Sequence, residues 1–303
     1  MMLNPIFESS ARRRMRSVRT PLLITAYVGA LLAVAVMLLE GFYGAGMTID
    51  WMRRSVEAYI WMTAGQFFLI LLAAPALSAG SIAGERERQT FDLLMVTQIG
   101  AWGIVSGKLM ENLAFLLLLL FSGVPVMLMA WMTGGVSLGA ICCTTIYLAA
   151  IAFSALTVGL FVSSLMKRSL TAILASYMAV FLIGALSWGL AKHGPLAAHY
   201  TGKTIELMAD MTAGEILKGM PVTIFLNPAV GLVTLLASQT GILHRTMEST
   251  LRLYHIYTAA KAAGFASVSL ICLAAMLAAA GLLLAGTVLI LRAGGGRRRT
   301  KKS

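Results

Sequence analysis

Six apolar runs, each long enough to cross a bilayer, leave this chain little choice of architecture. About 20 helical residues, rising 1.5 Å each, cover a hydrocarbon layer of roughly 30 Å. The runs are Pro21–Leu39, Ala58–Ala83, Leu109–Trp131, Leu138–Leu165, Leu170–Leu190 and Ala262–Leu291. Backbone amides in lipid must find partners inside the protein, and a helix supplies them within the segment itself. The expected fold is therefore an all-α polytopic membrane protein with six transmembrane helices. Composition agrees, since 59% of the 303 residues are apolar and only 12% are charged, where a soluble domain carries about 25% charged residues.

The 24 Lys and Arg and the 12 Asp and Glu all fall outside the runs, provided Glu40 and Glu111 are read as span ends. A charge at the bilayer centre costs at least about 2.5 kcal/mol, which explains the avoidance. A net charge of +12 would suit nucleic acid, but its confinement to the ends of spans argues against that partner and for the lipid bilayer. It also leaves no Asp, Glu, Lys or Arg at mid-membrane, which disfavours an ion-coupled secondary carrier, although carbonyls and hydroxyls can also hold ions. Placing both termini, residues 83–111 and Lys167-Arg168 on one side collects about 16 basic and 5 acidic residues there, against about 8 and 7 opposite; the richer side is cytoplasmic.

In chain order, residues 1–20 form a cytoplasmic basic segment, either an interfacial helix or a flank that fixes orientation. Residues 21–190 hold five spans. The first run exceeds the roughly 7 to 15 apolar residues of a signal peptide and is kept as a span. Pro75 predicts a bend in the second span. Gly80 and Gly84 either permit close helix contact or mark the helix exit, and the exit is the preferred reading. Residues 191–261 are predicted to be an extracytoplasmic helical loop, amphipathic over Thr204–Lys218 and Arg245–Thr258. Its apolar piece Val222–Ala237 is broken by Asn227-Pro228. That piece suits a re-entrant hairpin, because a full crossing there would put the basic tail outside. The sixth span lies in 262–292, and 293–303 is a basic cytoplasmic tail.

Little in the chain suggests catalysis. Gly202-Lys203-Thr204 ends like a phosphate-binding loop, but Ala197 stands where its first Gly belongs. His193, His199, His244 and His255 lack metal-site spacing, so no metal is expected. Cys142, Cys143 and Cys272 lie in apolar runs and read as small buried hydrophobes. Gln66, Ser78, Asn112, Thr145, Ser154, Thr157, Ser163 and Ser164 are polar positions in or at the ends of spans; they either line a path, for which Gln66, Ser78 and Asn112 are the candidates, or bond backbone carbonyls and neighbouring helices, the commoner case.

The densest charge between two spans is Glu85-Arg86-Glu87-Arg88-Gln89-Thr90-Phe91, followed by Asp92-Leu93-Leu94-Met95 and, after a Gly-broken turn, Trp102-Gly103-Ile104-Val105-Ser106-Gly107-Lys108. Helical spacing would pair Glu85 with Arg88 and Arg88 with Asp92, and would gather Phe91, Leu94 and Met95 into an apolar patch. With Ser78 to Gly84 before it, the segment resembles the one between spans 2 and 3 of ABC transporter permeases of the type-2 exporter family. Gln89 departs from that pattern, where Gly is usual, and Gln98 stands where Pro is common.

The resemblance implies a cytoplasmic amphipathic coupling helix at about 84–97 that docks on an ATPase and acts as a rigid lever on spans 2 and 3. Glu85, Arg86, Glu87, Arg88, Gln89, Thr90, Phe91, Asp92, Leu94 and Met95 would form it, with Phe91 and Leu94 as the anchor. It further implies two ABC ATPase subunits carrying the ATP and Mg, a second permease subunit (identical or homologous), and a bacterial cytoplasmic membrane. The chain itself would hold no cofactor and catalyse nothing alone. A secondary carrier and a non-transporting sensor or scaffold stand as alternatives.

Overall fold

The computed structural model describes residues 19–39, 49–90, 100–193, 222–240 and 264–299. They form α1 (Arg19–Leu39), α2 (Ile49–Glu87), α3 (Ala101–Met132), α4 (Leu138–Leu165), α5 (Ser169–His193), α6 (Val222–Phe225), α7 (Pro228–Thr240) and α8 (Phe265–Arg299). No strand occurs among the described residues. Five helices, α2, α3, α4, α5 and α8, are long and apolar enough to cross a membrane. α1 is helical over 21 residues, but its apolar stretch is the shorter Ile24–Val36. Five crossings rather than the expected six therefore meet the requirement.

The helices run past the ends of the apolar runs. α2 has 39 residues, about 58 Å of helix, nearly twice the hydrocarbon thickness. Its first turns take in Arg53 and Glu57, which pair at 3.0 Å one turn apart. Its last turns absorb Gly80 and Gly84, so the expected helix exit at these glycines is not where the chain leaves the helix. α3 begins at Ala101, which makes the Trp102–Lys108 elbow its first two turns. α8 carries the chain to Arg299, well into the predicted tail.

α2 and α4 form the centre. Gly159 sits against the α2 backbone, where a Cβ would lie 1.9 Å from Ser78 Oγ and 3.3 Å from the Ala79 nitrogen. One turn on, Ser163 Oγ accepts the Ile82 and Ala83 amides at 3.1 and 2.9 Å. Tyr59 on α2 meets Thr144 on α4 at 2.7 Å, so the contacts advance in the same direction along both helices and the pair is parallel. α3 and α5 run antiparallel to α2, since Glu85 meets Lys108 and Glu87 meets Ser169 at its end. α5 is the outermost helix, exposing Leu170, Leu174, Met178, Phe181 and Leu186. Tyr177 on α5 donates to the Leu72 carbonyl, within the turn that Pro75 loosens. Cys142 and Cys143 also point outward from α4, contrary to expectation, and Cys272 alone is buried.

At the Asn227-Pro228 break, Asn227 Oδ1 caps α7 by accepting the Ala229 amide at 2.9 Å, while Pro228 takes the first helical position, where its missing N–H costs nothing. With 13 residues, about 20 Å, α7 is too short to cross. Gly231 lets it press onto α4 and α8, since a Cβ there would meet Tyr147 Oη at 1.8 Å and Cys272 Cβ at 2.8 Å. The amphipathic segments Thr204–Lys218 and Arg245–Thr258, residues 1–18 and residues 300–303 lie outside the described residues.

Gly159→Ala is expected to force α2 and α4 apart and cost about 1–3 kcal/mol, the range for overpacking. Gly80→Ala, whose Cβ meets nothing within 4 Å, should leave stability unchanged or raise it. Thermal unfolding of both variants in one detergent checks the contrast.

Candidate functional site

The charged end of α2 is where sequence and structure concentrate chemistry. α2 stops there through backbone geometry. Gln89 has φ +58, the Thr90 amide donates to the Glu85 carbonyl at 3.0 Å, and the Gln89 amide donates to the Arg86 carbonyl at 3.2 Å. This is a Schellman termination, whose left-handed position is ordinarily filled by Gly. Glu85, Arg86 and Glu87 thus belong to α2, and the expected separate helix starting near residue 84 does not begin there. Phe91, Asp92, Leu94 and Met95 lie outside the described residues.

The three charges before the stop each reach a different helix. Glu85 Oε1 pairs with Lys108 Nζ on α3 at 2.8 Å, with both side chains more than four-fifths buried; the expected partner had been Arg88. Glu85 Oε2 is buried without a hydrogen-bond partner among the described residues. Arg86 Nη1 donates to the Ser164 carbonyl at 2.7 Å and the Met166 carbonyl at 3.3 Å, at the end of α4. Glu87 Oε2 accepts from the Ser169 amide at 2.9 Å and from the Ser169 hydroxyl, at the start of α5. Adjacent charges of opposite sign thus complement the exposed carbonyls ending one helix and the exposed amides opening the next. Arg88, Gln89 and Thr90 are exposed beyond them.

The other singled-out polar residues lie apart from this end and from one another. Gln66 is buried between α1 and α3, its Nε2 and Tyr27 Oη lying 2.4 and 2.7 Å from where a Cβ on Gly123 would be. Ser78 donates to the Ala74 carbonyl at 2.7 Å, the helix-bonding alternative. Asn112 is buried on α3, one turn beyond Lys108. Ser163 bonds the neighbouring α2, the helix-bonding alternative; sequence reasoning missed the roles of Lys108, of the Ser164 carbonyl and of Ser169. Lys108 was legible in principle, because antiparallel helices joined near residue 95 bring it opposite Glu85. The serines gave no such signal, since their use depends on which helices touch.

A second polar cluster ties α7 to the opposite end of the bundle. Tyr59 Oη and Thr144 Oγ1 each lie 3.1 Å from Gln239 Oε1. Gln239 Nε2 donates to the Ala140 carbonyl at 3.3 Å, and Asn227 Nδ2 donates to Ser187 Oγ at 2.6 Å.

Membrane-length helices with their charges gathered at the ends, and a short broken helix packed among them, define a multi-pass helical membrane protein. A family profile described as "ABC-2 family transporter protein" matches residues 54–286, from the start of α2 into α8. The chain belongs to that family and is a membrane permease of an ABC transporter. No match is found among curated proteins.

Two measurements probe the site. Gln89→Gly should remove the strain of a left-handed side chain and stabilise the protein by about 1 kcal/mol, read as a raised unfolding midpoint. Glu85→Lys or Lys108→Glu alone should cost about 3–5 kcal/mol, the range for breaking a shielded ion pair from one side, and the double exchange should recover most of it.

Proposed function

We propose that the chain is the membrane half of an ATP-driven exporter whose α2 end couples to separate ATPase subunits. The observation that carries this reading is the charged α2 end, fastened to α3, α4 and α5 within a chain of the ABC-2 family. A force applied there reaches three helices at once. Glu85, Arg86 and Glu87 are the root of the coupling segment; Arg88, Gln89, Thr90, Phe91, Asp92, Leu94 and Met95 are the part offered to the ATPase, with Phe91 and Leu94 as anchor.

In this reading α1 is the sixth crossing and both termini are cytoplasmic, as the charge distribution favours. The membrane is a bacterial plasma membrane, and ATP and Mg are held by the two ATPases. A second permease subunit completes the pathway. Gln66, Ser78 and Asn112 belong to the pathway proposal too, and because all three are buried, a route past them opens only as helices part. α6 and α7 form the outer capping hairpin. A pathway driven by ATP requires that nucleotide binding favour one permease conformation over another.

Truncating an interface anchor costs roughly 2 kcal/mol or more, about thirtyfold in affinity. Phe91→Ala with Leu94→Ala should therefore abolish co-purification of the ATPase and its stimulation by the permease. Undiminished co-purification and stimulation would refute the dock.

A further inference from the structure

We propose that Arg86 and Glu87 are positioning residues that hand movement of the α2 end to the turn between α4 and α5, with Ser163 holding α2 and α4 in register. The inference rests on the coupling role proposed for that end and names its output.

Helix neighbours such as residues 86 and 87 diverge by about 100° around the axis, so Arg86 and Glu87 grip two different elements. Arg86 grips the carbonyl end of α4 and Glu87 the amide end of α5. Each sign matches the partial charge it meets, and exchanging the two would set cation on amides and anion on carbonyls. The gripped ends are joined by only three residues, Met166–Arg168, so they move together. Above the grip, the Ser163 hydroxyl accepts the Ile82 and Ala83 amides of α2. The Ser78 carbonyl takes the Ser81 hydroxyl at 2.6 Å. A hydroxyl that bonds the main chain of a neighbouring helix fixes the register of the two, and here it fastens the last turns of α2 to α4. The moving unit is α2 together with the α4–α5 turn, rather than α2 tilting alone beside α3.

The test uses the full chain reconstituted with its ATPase. Arg86→Ala and Glu87→Ala should each leave ATPase co-purification within about twofold while cutting transport-linked ATPase activity about tenfold or more, within the range of measured coupling between sites. Arg86→Lys, which keeps the charge, should restore a large part of the activity, whereas the exchange Arg86→Glu with Glu87→Arg should not. Glu87→Ala and Ser169→Ala combined should lose no more than either alone. Release of the ATPase by either alanine variant would make the charges part of the dock and overturn the proposal. So would a loss that merely tracks a lowered unfolding midpoint and is not rescued by Lys.

Hydrogen exchange on the chain alone in lipid nanodiscs decides the same point without the ATPase. Glu87→Ala should speed exchange of the Ser169 amide, and Ser163→Ala should alter exchange at Ile82 and Ala83, each about tenfold, while Ser163→Thr stays near the parent. Unchanged rates overturn the proposal. A parent chain that recruits no ATPase would defeat the coupling reading instead, with the exchange result still standing.

Discussion

Hydrocarbon tolerates neither an unpaired charge nor an unbonded amide, and the arrangement of this molecule follows from that intolerance. Charges are driven to the ends of helices, which is also where helices leave four carbonyls or four amides without intrahelical partners. The two needs meet at the end of α2. Arg86 and Glu87 find the unsatisfied backbone of α4 and α5, and Glu85 finds the one cation at the start of α3. What reads in the sequence as a polar loop signal is, in the folded chain, the joint of four helices.

The same constraint governs the interior, where close backbone approach replaces the hydrophobic drive that lipid removes. Ser78, Ala79, Ile82 and Ala83 on α2 lie against Gly159 and Ser163 on α4, and the side-chain hydroxyl bonds amides directly. Packing this close cannot slide by fractions of an ångström, because cores of this density are bistable rather than compliant. α2 and α4 therefore shift as one body or separate altogether. That is the mechanical property a force-transmitting element requires.

How much of this was legible beforehand can be argued residue by residue. The helices were, because apolar runs of bilayer length have no other stable form. The break at Asn227-Pro228 was, because an Asn cap and a first-turn Pro write a helix start in two letters. The extension of α2 to Glu87 was not. Gly80 and Gly84 advertise an exit, yet Gly84 stays helical facing Ser169, and the stop falls at Gln89, a residue that carries no left-handed signal of its own. The departure from the family pattern at that position marks the place, since the Gly usual there is what a Schellman termination prefers. The pairing of Glu85 eluded local spacing rules, which offered Arg88 one turn on. Lys108 won because it lies on an antiparallel neighbour and shares Glu85's burial. Cys142 and Cys143 misled because an apolar run says nothing about which side faces lipid.

The two ends of the bundle are held by different chemistry, and the difference assigns them different work. At the Glu87 end the ties carry charge, and a charge-assisted hydrogen bond is roughly twice as strong as a neutral one where it is shielded, as Glu85–Lys108 is and the solvent-exposed Glu87 is not. At the other end Tyr59, Thr144, Gln239, Asn227 and Ser187 make neutral contacts, each worth about 1 kcal/mol net, since water replaces most of what is lost. Parting α7 from α2 and α4 breaks these neutral bonds and also uncovers the buried Leu232 and Leu236. Breaking the Glu85–Lys108 pair would strand a shielded charge, at about 3–5 kcal/mol for that one contact. Among the described residues, the firmest single tie between helices is thus the shielded Glu85–Lys108 pair, and the bonds that hold α7 are all neutral.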